Sequence, residues 1–187
     1  MRAYSLAADK RRGAPLRQAS SYCGATRAVS SDTHDSGNCM ATPRIFVLNG
    51  PNLDLLGQRE PQIYGTNTLA DVEALCRSTL TGQSLELVFR QTAAEHEMVG
   101  WLHEARRSAG IVINGAGFSY HSVPVLDALL ACECPIVEVH ISNLHRRSEA
   151  WRAHSILTAA ANGLITGLGI EGYRLALEYL LRKRAAQ

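Results

Sequence analysis

Lysine is almost missing. Of the 19 basic residues in the 187-residue chain, only Lys10 and Lys183 are lysines, and each lies near an end. Imine catalysis needs a buried lysine amine, and neither is placed for it. Phosphate-cradling loops are missing where a nucleotide fold would carry them. No GxGxxG follows the first apolar run, and no Gx4GK[ST] occurs, so dinucleotide and P-loop readings lack support. No GxSxG is present, which removes the nucleophile elbow of a hydrolase. No apolar run approaches the roughly 20 residues that span a bilayer. The net charge is only +2, too little field to argue for nucleic acid or a membrane surface.

The cysteines exclude a disulfide framework. Cys23, Cys39, Cys76, Cys132 and Cys134 are odd in number and scattered, as reduced thiols of a cytoplasmic protein are. Only Cys132 and Cys134 lie close in sequence, and one intervening residue is shorter than the usual zinc spacing. They read as thiols buried at a helix end.

What is present begins after residue 40. The first forty residues are rich in Arg, Ser, Ala and Gly and poor in large apolar residues, so they are expected to be a disordered N-terminal extension. They lack the apolar core of a secretory signal, while the Arg and Ser content leaves a transit peptide open. A tail preceding a true start at Met40 is the favoured reading. The chain as a whole is 46% hydrophobic, and residues 41–187 suffice for one domain with a real core.

Short β-branched runs alternate there with amphipathic stretches. RIFVLN (44–49), LELVFRQ (85–91), GIVING (110–115), PIVEVH (135–140) and GLITGLG (163–169) read as strands. Leu69–Leu80, Ala94–Ser108, Val123–Ala131 and Ile170–Arg182 read as helices. Strands so separated imply βαβ units and a parallel sheet covered on both faces. The expectation is an α/β, flavodoxin-like, doubly wound five-stranded sheet.

Ligands of open α/β sheets sit at the carboxyl ends of the strands. Those ends carry Asn49 and Asn52, Gln91, Asn114, and the set Glu138, His140, Ser142 and Asn143. Glu138 and His140 share one face of a strand by the two-residue period. A carboxylate beside an imidazole fixes its tautomer and raises its proton affinity, which makes His140 a candidate general acid. Arg146, Arg147 and Arg152 follow in HRRSEAWRAH; guanidinium forks suit carboxylates and hydroxyls, although Arg146 reads as solvated.

The connection after the first strand, NGPNLDLLGQREPQIYG (49–65), far exceeds the usual 2–6 or so residues. It carries Arg59 and Tyr64 between Gly57 and Gly65. A phenol with a pKa near 10 is a poor base at neutral pH, but a nearby guanidinium favours the phenolate. A loop closing on glycine hinges brings the two together and expels water. The connection therefore reads as a lid that carries its own base.

These residues resemble the type II 3-dehydroquinate dehydratase family. The resemblance rests on LNGPNLDLLGQREPQIYG (48–65), EVHISNLHRR (138–147), WRAHS (151–155) and GLGIEGY (167–173), and runs from about Arg44 to Leu181. It implies a flavodoxin-like lyase, free of cofactor and metal, that eliminates water from 3-dehydroquinate to give 3-dehydroshikimate. It implies Tyr64 as the phenolate base, activated by Arg59, and Asn52 holding the enolate oxygen through a water. His140 is implied as the acid, oriented by Glu138. The backbone at Ile141 and Ser142 is implied to take the substrate carboxylate, and Asn114 and Arg152 its hydroxyls. Asp127 is implied to reach a neighbouring subunit's site in a homododecamer built from trimers.

Three departures from the family pattern stand out. In NGAGFSYHSV (114–123), Tyr120 takes the place of the usual substrate-binding histidine and His121 that of a threonine. Either can serve there. HRRSEAWRAHS is one residue longer than the usual segment, and QTAAEHE (91–97) lacks the usual asparagine. A second function class stays open on this ground: a non-catalytic or altered-specificity binding protein for a related cyclic polyol carboxylate. Metal-dependent hydrolysis through His121, His140 and His145 lacks the spacing of strand ligands. Trp101 and Trp151 read as packing or subunit contacts.

Overall fold

A computed structural model describes residues 42–58, 65–146 and 150–186. Arg59, Tyr64 and Arg147, and the N-terminal extension to residue 40, lie outside the described residues. Five strands form one parallel sheet: β1 (Arg44–Asn49), β2 (Glu86–Gln91), β3 (Gly110–Asn114), β4 (Ile136–His140) and β5 (Gly163–Thr166). Their spatial order is β2-β1-β3-β4-β5, and every pairing is parallel. This is the doubly wound, flavodoxin-like order expected from the alternation of elements.

The helices are α1 (Leu69–Thr79), α2 (Glu95–Ala105), the one-turn α3 (Phe118–His121), α4 (Val123–Leu130) and α5 (Glu171–Ala185). A capping box opens α1: Thr68 N donates to Asp71 Oδ2 at 2.7 Å, and Asp71 N donates to Thr68 Oγ1 at 3.2 Å. Two orphan N–H groups are thereby satisfied reciprocally. Ser122 caps α4 by accepting from Val125 N at 3.2 Å, with Pro124 in the first turn. Proline is tolerated there because that N–H lacks an intrahelical partner anyway.

Alternation along the strands builds two cores. Ile45 and Val47 of β1, Val112 of β3, and Val137 and Val139 of β4 face α1 and α5, with Val72, Cys76, Tyr173, Ala176 and Leu177. Phe46, Leu48, Ile111, Ile113 and Ile136 face the other way, toward Met98, Leu102, Val125 and Leu129 of α2 and α4, and Leu157. By the same period, Asn49 and Asn114 end β1 and β3 on the α5 face. Glu138 and His140 end β4 on the opposite face.

A G-x-G-x-x-G spacing does occur late in the chain, as Gly167-Leu-Gly-Ile-Glu-Gly172 between β5 and α5. Gly167 and Gly169 turn the chain at φ of 86° and 60°. The third glycine seats α5: a Cβ on Gly172 would meet Val139 Cγ1 at 3.1 Å and Ile165 Cγ2 at 3.3 Å. Glu171 stands in the first turn of α5, where its charge opposes a phosphate.

Candidate active site

The strand order reverses at β1 and β3, which run parallel, and a crevice opens at their carboxyl ends, as the topology requires. A pocket of ≈ 260 Å³ occupies it. Its walls come from the segment after β1 (Pro51 to Leu56), from Asn114 to His121 after β3, and from His140, Ile141 and Ser142 at the end of β4. Trp151 and Arg152 complete it.

Backbone strain gathers at this place. Among the described residues, Asn52 at φ 65° and Ala116 at φ 46° are the non-glycine residues in the left-handed region, and both line the pocket. Asparagine enters that region at modest cost and alanine at greater cost; strain of this kind collects at functional sites. A close backbone approach adds to it. Gly50 N donates to the Asn114 carbonyl at 2.8 Å, and a Cβ on Gly50 would lie 2.2 Å from the Gly115 carbonyl oxygen. Only glycine lets the two strand ends meet this closely.

His140 and Glu138 pair as their strand spacing requires, His140 Nε2 to Glu138 Oε1 at 2.8 Å. Both are buried, Glu138 completely. The carboxylate has two further donors: Ser155 Oγ to Oε1 and Thr158 Oγ1 to Oε2, each at 2.5 Å. Burial pushes the Glu138 carboxyl up, but the hydrogen bonds from His140, Ser155 and Thr158 together outweigh it, and the group sits below its usual range. An ionised carboxylate thus lies behind the ring while His140 itself lines the pocket. The chain beyond β4 is anchored through its carbonyls: His140 O accepts from Gly167 N at 3.1 Å, Ile141 O from Gly169 N at 3.0 Å and Ser142 O from Thr166 Oγ1 at 3.1 Å.

Tyr120, His121 and Trp151 form an aromatic wall. Tyr120 meets Trp151 edge-on at 5.1 Å between centroids, and His121 stacks on the same ring at 5.7 Å with 23° between planes. Arg152 lies over the Trp151 ring at 4.7 Å. Asn52, Asn114, Tyr120, His121, His140, Ile141, Ser142 and Arg152 therefore share one pocket. Gln91 stands apart, bonded through Nε2 to the Gly50 carbonyl at 3.3 Å. Asp127 is exposed on α4 and is not among the lining residues.

Comparison with known proteins agrees with this architecture. The model of the class II dehydroquinases matches residues 43–181. The chain belongs to that family. A relative in Agrobacterium fabrum, 3-dehydroquinate dehydratase 2, is 57% identical over 136 residues, 72% of this chain and 92% of the relative. A 3-dehydroquinate dehydratase of Methylobacterium radiotolerans is 54% identical, covering 76% of this chain and 96% of the relative. The crystal structure of type II dehydroquinase from Propionibacterium acnes superposes with a TM-score of 0.71 at 45% identity, over 75% of this chain and 97% of that one.

Sequence reasoning missed several members of this dehydroquinase pocket and its support. Trp151, read as a packing or subunit contact, is half exposed and also stands in the pocket wall. Ser155 and Thr158 arrive from a segment with no periodic pattern, so nothing in the sequence ties them to Glu138. Tyr173 lies fully buried, bonded to the Asn49 already noted at the end of β1. Tyr173 belongs to GLGIEGY, a motif to which chemical reasoning had attached no role.

Proposed function

We propose that this protein is a 3-dehydroquinate dehydratase that eliminates water through an enolate and yields 3-dehydroshikimate. The observation that carries the reading is the ionised Glu138 carboxylate, held by three donors, behind a His140 ring that lines the pocket. Such a pair stabilises an imidazolium and orients it as a general acid.

Tyr64, as phenolate, takes the proton from the carbon next to the ketone, and Arg59 favours the phenolate. Electrons move into the carbonyl to give an enolate, whose oxygen Asn52 holds through a water. The enolate collapses, the carbon–oxygen bond breaks, and His140 delivers a proton so that hydroxyl leaves as water. Ile141 and Ser142 offer backbone N–H groups to the substrate carboxylate. Asn114, Arg152 and either Tyr120 or His121 take its hydroxyls. No cofactor or metal enters a step.

Support for the lid comes from its ends. Gly57 and Gly65 stand at φ of 83° and 80°, and a Cβ on Gly57 would meet the carbonyl oxygens of Thr66 at 2.9 Å and Asn67 at 3.0 Å. Gly57 and residues 66–67 thus lie side by side, as the two ends of a closing loop would. Support for assembly comes from α4. Val123, Asp127 and Leu130 are spaced to share one helix face, and the two apolar members are 56% and 59% exposed. We assign that face to a homo-oligomer contact, in a dodecamer of trimers, through which Asp127 reaches a neighbour's pocket. Among the described residues no helix is long and apolar enough to cross a membrane. A cytoplasmic dehydroquinase domain from residue 41 completes the proposal.

The test is turnover of 3-dehydroquinate, followed as the rise in enone absorbance, for wild type, Tyr64→Phe and His140→Ala. Turnover by wild type with loss of at least about 100-fold in each variant supports the assignment, the range expected for removing a general acid or base. Tight binding of the substrate without turnover by wild type would replace it with the binding-protein reading.

A further inference from the structure

GLGIEGY ends in a tyrosine that is nowhere near solvent. Tyr173, on α5, is fully buried, yet its hydroxyl reaches both strand ends that frame the pocket. Tyr173 Oη donates to Asn49 Oδ1 at 2.8 Å, and Asn114 Nδ2 donates to Tyr173 Oη at 2.8 Å. Asn49 and Asn114 are register partners on the neighbouring strands β1 and β3.

The polarity of the chain is determined at its far end. The Arg90 carbonyl can only accept, and Asn49 Nδ2 donates to it at 3.1 Å. Asn49 therefore turns its Oδ1 to Tyr173. The phenol has one proton and spends it there. Its lone pair then takes a proton from Asn114 Nδ2, and Asn114 Oδ1 is left to accept from Ala116 N at 3.3 Å. An amide whose oxygen and nitrogen are otherwise interchangeable in orientation is thus held one way round. Burial also pushes the Tyr173 phenol well above its usual range, so the relay stays neutral throughout neutral and mildly alkaline pH and does not compete with a phenolate base.

Asn114 lines the pocket, and its amide keeps one Nδ2 proton and one Oδ1 lone pair that the relay does not use. We infer that Tyr173 is a positioning residue: through Asn49 and its own hydroxyl it fixes the amide of Asn114, and so sets how the pocket reads a substrate hydroxyl. This inference rests on the dehydratase reading above. A hydroxyl both donates and accepts, and an amide of fixed orientation distinguishes where it sits. Tyr173 touches no substrate; it acts through Asn114.

A double-mutant cycle on the full chain tests this. Tyr173→Phe, Asn114→Ala and the double variant are compared with wild type for KM, kcat and melting temperature. Tyr173→Phe is expected to raise KM for 3-dehydroquinate about tenfold, the effect of roughly one lost hydrogen bond, with kcat within a factor of about two. In the Asn114→Ala background the same change is expected to leave KM where it is, while melting temperature falls in both backgrounds. An unchanged KM in Tyr173→Phe reduces the tyrosine to a structural role and overturns the inference, as does an equal rise of KM in both backgrounds. If Tyr173→Phe does not fold, Asn49→Ala is carried through the same cycle; it frees the phenol proton, is expected to raise KM only when Asn114 is present, and overturns the inference otherwise. Lack of turnover by wild type overturns the dehydratase reading and this one with it, whereas wild-type turnover with a flat cycle sinks this one alone.

Discussion

Thr158 Oγ1 donates to one oxygen of Glu138 at 2.5 Å, while His140 Nε2 meets the other at 2.8 Å. The carboxylate is therefore gripped on both sides, and its ionisation rests on that grip. Thr158→Val keeps the shape and deletes the donor. A buried acceptor left unpaired costs about 1–3 kcal/mol, so the variant is expected to melt earlier at neutral pH.

The pH dependence of that loss has a definite sign. In wild type the folded Glu138 carboxyl sits below its usual range, so its contribution to stability is present above the unfolded carboxylate pKa, about 4.3. It is lost as pH falls through the lower folded value. With a donor removed, burial regains weight and the folded value climbs. The difference in melting temperature between wild type and Thr158→Val should then be largest near pH 7 and shrink toward pH 4. A gap that stays constant over that range would show that the bond to Thr158 does not help keep the carboxylate charged.

Gly50→Ala tests the close approach at the floor of the pocket. The added methyl would stand 2.2 Å from a backbone oxygen, that of Gly115, and backbone cannot swing aside as a side chain can. Overpacking of this kind costs about 1–3 kcal/mol or more. Because Asn114 and Ala116 flank the contact, the variant is expected to lose turnover as well as stability. A variant with wild-type kinetics and melting temperature would show that β1 and β3 separate there at no cost.

Much of this was legible beforehand, for physical reasons. The strands of a doubly covered parallel sheet must be apolar on both faces, so their positions show in the sequence, and Glu138 and His140 stand out because each interrupts an apolar strand. Helix ends were less well placed: Ala94–Ser108 shortens to Glu95–Ala105, while Ile170–Arg182 shifts and lengthens to Glu171–Ala185. Ser155 and Thr158 could not be seen, since a hydroxyl in an aperiodic segment carries no sign of the carboxylate it meets. Tyr173 was hidden for another reason. A tyrosine in an amphipathic helix looks like core, and here its ring is core while its hydroxyl serves the pocket.

Cys134, just before β4, and Cys76, inside α1, sit in different electrostatic surroundings. The neighbouring Cys132 thiol, and a hydrogen bond from Ser108 Oγ at 3.6 Å, hold the Cys134 thiol below the usual thiol range despite its burial. Burial, reinforced by Glu73, pushes Cys76 up to about 12. The thiolate is the nucleophile, so iodoacetamide at pH 7.5 should label Cys134 ahead of Cys76. Peptide mass mapping of the folded protein reads the order directly. Labelling of Cys76 at the same rate would mean that the core opens faster than the reagent attacks.

Trp151 offers the clearest test of the altered wall. Its ring is half exposed, so truncation should lower the melting temperature by little more than its ring contacts contribute. It nevertheless supports Tyr120 and His121 at 5.1 and 5.7 Å and underlies Arg152 at 4.7 Å. Aromatic pairs are worth about 0.5–1.5 kcal/mol each, so Trp151→Ala should raise KM by about tenfold while kcat changes less. Of the two side chains it supports, His121 brings an imidazole to the wall, and His121→Ala should therefore cost more in KM than Tyr120→Phe. The reverse order would give the hydroxyl-binding role to Tyr120, and equal, negligible effects would leave Arg152 and Asn114 to hold that end of the substrate alone.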